Sequence, residues 1–192
     1  IDLFSVNKEN PNSEIILGTV GKFTEQKGYD VLLKAFEEVL NQFSDLKLEI
    51  IGTGYLENDL TNLSEDLGIT NSVRFLGSMS NRSVVETMNS WSIFVLASRW
   101  EGFGIVLIEA MALEKPVVAT KVDAIPEVVE DGVTGILCQS EDYQGIAQGI
   151  ISLLNDTEKA IEMGRFGRKR VEKYFTIGEM VNKLERIYLG EK

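Results

Sequence analysis

The sequence predicts an α/β protein built on a doubly wound parallel sheet of about six strands, with helices on both faces. Three observations carry that expectation. Short β-branched runs alternate with amphipathic stretches along most of the chain. The runs read as buried strands, as strands covered on both faces do. Glycine recurs where the runs end, at Gly21, Gly52, Gly54 and Gly77.

Taken in order, residues 15–21 form the first strand. Residues 29–42 carry apolar side chains at 31, 32, 35, 36, 39 and 40, a helical spacing. A second strand spans 46–52 and ends in Gly52-Thr53-Gly54. The helix over 56–67 stops at Gly68, a residue suited to the left-handed position after a helix. A third strand covers 73–77. Ser80 is placed to cap a helix that runs to about Trp91. A fourth strand follows at 93–97, a helix at 104–113 and a fifth strand at 116–119. Residues 126–130 suit one helical turn with Pro126 near its start, and 135–138 a sixth short strand. Three helical stretches close the chain, at 142–154, 158–174 and 178–189, with no strand between them. The organisation expected is a linker or arm over 1–14, a Rossmann-like domain over 15–175 and a terminal helix within 176–192. Ligands of such a sheet bind at the carboxyl ends of its strands.

Composition narrows the function. The chain has 192 residues and a net charge of −11, which argues against nucleic acid or an anionic membrane surface as its main partner. One cysteine, Cys138, excludes an internal disulfide and suits a reducing compartment. There is no histidine, which removes Ser-His and Cys-His nucleophile arrangements and makes zinc a poor candidate. No apolar run approaches the ~18 residues of a membrane span, and nothing at the start reads as a signal peptide.

Among the strand ends, Gly21-Lys22 to Lys27-Gly28 lacks the spacing of a phosphate-binding P-loop and of a G-x-G-x-x-G turn. Its two lysines either pair with phosphates or belong to a solvated loop. Gly52-Thr53-Gly54 fits a tight strand-to-helix turn better than a dinucleotide loop. Glu101-Gly102-Phe103-Gly104 precedes a helix, whose first N–H groups and positive dipole end favour an anion. Glu109 lies inside that helix among apolar neighbours. Such a carboxylate needs a partner, and a ligand diol, a backbone amide or a basic side chain would each serve. Glu101 and Glu109 as the acid pair of a glycoside hydrolase is a weaker reading, since eight residues of helix rise about 12 Å.

Read together, these residues resemble the C-terminal, donor-binding half of retaining GT-B glycosyltransferases of the Glu, seven residues, Glu group (the group 1 type). The motifs fall in that family's order. They are Gly21-Lys22 with Lys27-Gly28, Ile51 to Gly54, Val73 to Gly77, Ser98 with Glu101 to Gly104 through Glu109 to Ala112, Pro116 to Ala119, Pro126 to Val129, Asp131-Gly132 and Gly135. The resemblance implies one half of a GT-B fold that binds a nucleotide-diphosphate sugar. Lys22 and Lys27 would hold the diphosphate. Lys22 stands where the family usually has arginine. Glu101, the catalytic candidate, would contact the donor sugar, with Gly102, Phe103, Gly104 and Ile105 around it, the amides of Phe103 and Gly104 meeting sugar hydroxyls and diphosphate. Glu109 would take the ribose hydroxyls, and the base would lie near Arg74, Phe75 and Gly77. No cofactor is expected, and no metal, since the sequence has no Asp-x-Asp tract of the type that holds a divalent ion on a diphosphate. The resemblance also implies an acceptor-binding N-terminal half, against which the last helix packs and through which any membrane contact runs. A cytoplasmic protein is expected, peripheral at most, and a fragment that barely transfers sugar by itself. The alternatives are a non-catalytic Rossmann-like scaffold and a nucleotide-sugar epimerase.

Overall fold

A computed structural model describes Phe4 and residues 14–189, apart from the Lys183 side chain. The arm expected over 1–14 and the chain beyond Leu189 therefore lie largely outside the described residues. The strands are β1 (Ile16–Val20), β2 (Lys47–Ile51), β3 (Val73–Gly77), β4 (Ile93–Leu96), β5 (Val117–Thr120) and β6 (Gly135–Cys138). The helices are α1 (Tyr29–Leu40), α2 (Glu57–Asp66), α3 (Asn81–Ser90), α4 (Ile105–Ala112), α5 (Ile125–Val128), α6 (Tyr143–Asn155), α7 (Thr157–Tyr174) and α8 (Ile177–Leu189). All six strands run parallel in the order β3-β2-β1-β4-β5-β6. The order reverses between β1 and β4. The chain therefore leaves these two neighbouring strands in opposite directions, which opens a crevice at their carboxyl ends.

The strand residues sort themselves by parity. Ile93 and Val95 of β4 and Val118 of β5 join α1, α2 and α6 in one apolar cluster. Phe94 and Leu96, with Val117 and Ala119, join α3, α4 and α5 in the other. Helix α7 passes from one face to the other: Ala160 and Met163 pack in the first cluster and Val171 in the second. Each fully buried large apolar side chain contributes roughly 1.5–3 kcal/mol.

The local signals hold in the structure. The Ser80 hydroxyl accepts from the amide of Ser83 at the start of α3, Gly68 is left-handed after α2 (φ 69), and Pro126 is in the first turn of α5. Helix boundaries differ from the expected ones by a residue or two. Asp142 and Asp156 lie outside α6 and α7 because their carboxylates cap the amides of Gly145 and Lys159.

Candidate functional site

The crevice is walled by the loops that leave β1 and β4. After β1 the chain makes a 3-10 turn at Glu25–Lys27 and enters α1 through Gly28. Gly28 is left-handed (φ 59), and a Cβ there would stand 2.1 Å from the carbonyl oxygen of Ala97, just past β4. Only glycine lets the two loops approach this closely. The next layer out is Gly52-Thr53-Gly54. A Cβ on Gly52 would meet the Gly21 carbonyl oxygen at 1.9 Å, and Thr53 O accepts from Phe23 N at 3.0 Å. These glycines are a tight turn that buttresses the lysine loop.

Facing it, the loop after β4 carries Glu101. Lys27 Nζ and Glu101 Oε2 are 2.5 Å apart, and their side chains are only 15% and 12% exposed. Ser98 Oγ donates to the same carboxylate oxygen at 3.3 Å. Four further groups fix this loop. Thr120 Oγ1 donates to Ser98 O at 2.6 Å. Asp123 Oδ2 accepts from Glu101 N at 2.7 Å. Gln26 accepts through its carbonyl from Arg99 N at 2.7 Å and donates through Nε2 to Trp100 O at 3.0 Å. The Arg99 guanidinium grips both oxygens of Asp30, at 2.9 and 2.8 Å, and also reaches Glu25 O and Glu141. Partial burial alone would raise the Asp30 carboxyl. The Arg99 fork outweighs it and holds that group below the usual aspartate range.

The same loop ends at α4. Gly104 is left-handed (φ 76), and no side chain caps the helix it opens. Among the described residues the first two N–H groups of α4, those of Ile105 and Val106, have no side-chain acceptor. Gly102 and Phe103 are exposed, and the Phe103 ring meets Phe175 edge-on at 6.0 Å. One turn further along α4, Glu109 lines a hollow of about 270 Å³ with Phe4, Ile108, Ala112, Val171 and Phe175. Among the described residues no donor or cation reaches its carboxylate. Burial in these apolar surroundings raises its pKa. Of the three partners open to Glu109, the described residues supply neither an amide nor a basic side chain. The two glutamates therefore occupy different surroundings, Glu101 paired with a lysine and Glu109 bare among the described residues.

The structure brings Lys27, Glu101 and the start of α4 together. It leaves Lys22 exposed beside them, without a partner among the described residues. Arg74 stands apart. Its guanidinium binds Glu14 at 2.8 Å and Glu49 at 3.2 Å, three residues short of the carboxyl end of β3. Glu49 is buried and also accepts from Trp91 Nε1 at 2.8 Å, so Arg74 completes a structural network. The Phe75 ring packs edge-on against Phe23 at 5.9 Å, whereas Gly77 ends the strand left-handed with open space beside it. Thr120, Asp123, Gln26 and the Arg99–Asp30 fork gave no local sequence signal, because each acts on a loop far away in the chain. Among the described residues no cluster could hold a metal ion, and no helix is long and apolar enough to cross a membrane.

Comparison with known proteins identifies the family. The family model described as "Glycosyl transferases group 1" matches residues 2–170. The chain is 35% identical over 189 residues to N-acetyl-alpha-D-glucosaminyl L-malate synthase of Bacillus anthracis, covering 97% of this chain and 49% of that protein. It is 32% identical over 177 residues to the capsular polysaccharide biosynthesis glycosyltransferase CapM of Staphylococcus aureus, covering 92% and 46%. The chain thus spans about half the length of the curated relatives it matches. Among solved structures, Anabaena HepE in complex with UDP and glucose superposes with a TM-score of 0.82 at 25% identity, covering 91% of this chain and 48% of that one. The family match over most of the chain and the agreement in sheet fold lead to one conclusion: the chain belongs to the group 1 glycosyl transferases.

Proposed function

We propose that this chain is the donor-binding half of a retaining glycosyltransferase and takes a nucleotide-diphosphate sugar in the crevice between the β1 and β4 loops. The single observation that carries the reading is the Lys27–Glu101 pair, held at the switch point of the sheet and beside the uncapped start of α4. A diphosphate there exchanges partners with the pair. Lys27, with Lys22, meets the phosphates, and Glu101 is released to accept from hydroxyls of the donor sugar. The amides of Phe103, Gly104 and Ile105 stabilise the oxygens that gain charge as the sugar leaves the diphosphate. Glu109, bare and half-buried, accepts from a ribose diol, and the base lies beside Gly77. No metal is needed in this scheme, because lysines and helix amides meet the phosphate charge. The crystallised relative that holds UDP and glucose supports the ligand class.

Acceptor binding and the transfer itself belong, in this proposal, to the intact enzyme, in which an N-terminal half closes the crevice. The apolar row of α8 (Ile177, Met180, Val181, Leu184 and Ile187), all of it exposed, is the surface for that half. The working compartment is the cytoplasm, with any membrane contact made through the other half.

The test is a thermal-shift and calorimetric screen of the chain against UDP, GDP, ADP and their sugar conjugates. A ligand that binds only the folded state raises the melting temperature as its concentration passes the dissociation constant. One nucleotide should stand out, with its shift lost in Glu109→Ala and weakened in Lys27→Ala. No shift with any nucleotide, on this chain and on the full-length protein, would favour a scaffold.

A further inference from the structure

We infer that Asp123 is a specificity-determining residue that restricts the donor to sugars without a negative charge. The inference rests on the donor reading above. It starts from the turn between β5 and α5. Asp123 is left-handed there (φ 43), a conformation that glycine adopts at lower cost. The turn does not need this side chain: Val122 N donates to Thr120 O at 3.1 Å and Ile125 N to Val122 O at 3.0 Å, so backbone bonds alone shape it. The Asp123 carboxylate makes one polar contact among the described residues, to Glu101 N at 2.7 Å. That contact brings a second carboxylate within one residue's reach of the Glu101 side chain, on an exposed rim that solvent and ligand share.

The charge balance then changes with occupancy. In the free protein, Lys27 neutralises Glu101. When a diphosphate takes Lys27, the sugar end of the crevice holds two carboxylates, Glu101 and Asp123, and the nearly buried lysine no longer offsets them. Two acceptor-only groups suit a ligand rich in donors. Hydroxyls and amides of a neutral or amino sugar satisfy them. A carboxylate on the sugar would add a third negative charge at a range of a few ångströms. The excluded class is the hexuronates and other acidic sugars.

The test uses matched donors on whichever of UDP, GDP or ADP binds, differing only in the oxidation state of C6: the hexose and its hexuronate. Affinities are measured calorimetrically for the chain and for Asp123→Asn, at low salt and at about 0.3 M. The asparagine keeps an acceptor for Glu101 N and removes the charge. The expected result is a hexuronate about tenfold weaker than the hexose at low salt, a gap that narrows at high salt and falls to about twofold in the variant. Equal affinity for the two donors in the unsubstituted chain overturns the inference, as does a gap that Asp123→Asn leaves unchanged. Those outcomes spare the donor reading, because the nucleotide still binds. If none of the three nucleoside diphosphates binds this chain or the full-length protein, the donor reading fails and this inference fails with it.

Discussion

The contact between Lys27 and Glu101 can be tested through its energy. Lys27→Met leaves the Glu101 carboxylate, 12% exposed, with the Ser98 hydroxyl as its one side-chain hydrogen-bond partner among the described residues. Glu101→Gln leaves the ammonium, 15% exposed, without its counter-charge. Breaking a fully buried pair costs roughly 3–5 kcal/mol. Water at the mouth of the crevice and the remaining Ser98 bond reduce that, and we expect about 2 kcal/mol for each single substitution. For a chain of this size, each kcal/mol moves the melting temperature by about 2–4 °C, so each variant should melt about 4–8 °C lower. The double variant removes both charges together and should fall short of the summed losses by at least about 1 kcal/mol. Urea unfolding of the four proteins gives the three differences from linear extrapolation. Additivity within about 0.5 kcal/mol would refute the reasoning, since two groups in a desolvated pair cannot act independently.

Two further outcomes follow from the same geometry. The Glu109 carboxyl ionises at higher pH in the folded chain than in the unfolded one, so its contribution to stability falls as pH rises through that interval. Glu109→Gln should therefore be the more stable protein at pH 7, with the difference shrinking towards zero below about pH 4; a difference that is the same at both pH values would contradict the burial argument. Gly28→Ala combines a left-handed backbone with a Cβ 2.1 Å from the Ala97 carbonyl, which cannot move aside. We expect a loss of about 3 kcal/mol and a melting temperature lower by about 6–12 °C in a calorimetric scan, whereas a change under about 2 °C would mean that the two loops are not in contact.

The fold was legible because its signals are local. Strand-length apolar runs, helical spacing and the cap at Ser80 each act within a few residues, and periodicity reads them directly. The loops of the site were legible as positions: strand ends with glycine, lysine and glutamate. Their connections were not. Lys27 reaches Glu101, and Arg99 reaches Asp30, across about seventy residues of sequence, and no spacing rule encodes which strand ends become neighbours. The order of strands decides that, by placing β1 beside β4. Arg74 shows the converse. It stands in a motif, yet the buried Glu49 and the indole of Trp91 give it structural work. Glu109 was readable as a carboxylate in apolar company, and only the packing shows that no group among the described residues answers it.

The edge-on contact of Phe103 with Phe175 joins two parts of the molecule that the sequence keeps far apart. Phe175 lies between α7 and α8, and Phe103 is in the loop that carries Glu101. A displacement of α8 therefore has a route to the Glu101 loop through this pair of rings. By thermodynamic reciprocity, any partner that binds α8 more tightly in one setting of that loop changes donor affinity by the same factor by which the donor changes the partner's. Replacing Phe103 with a small residue would weaken the link between the two equilibria while leaving each surface in place.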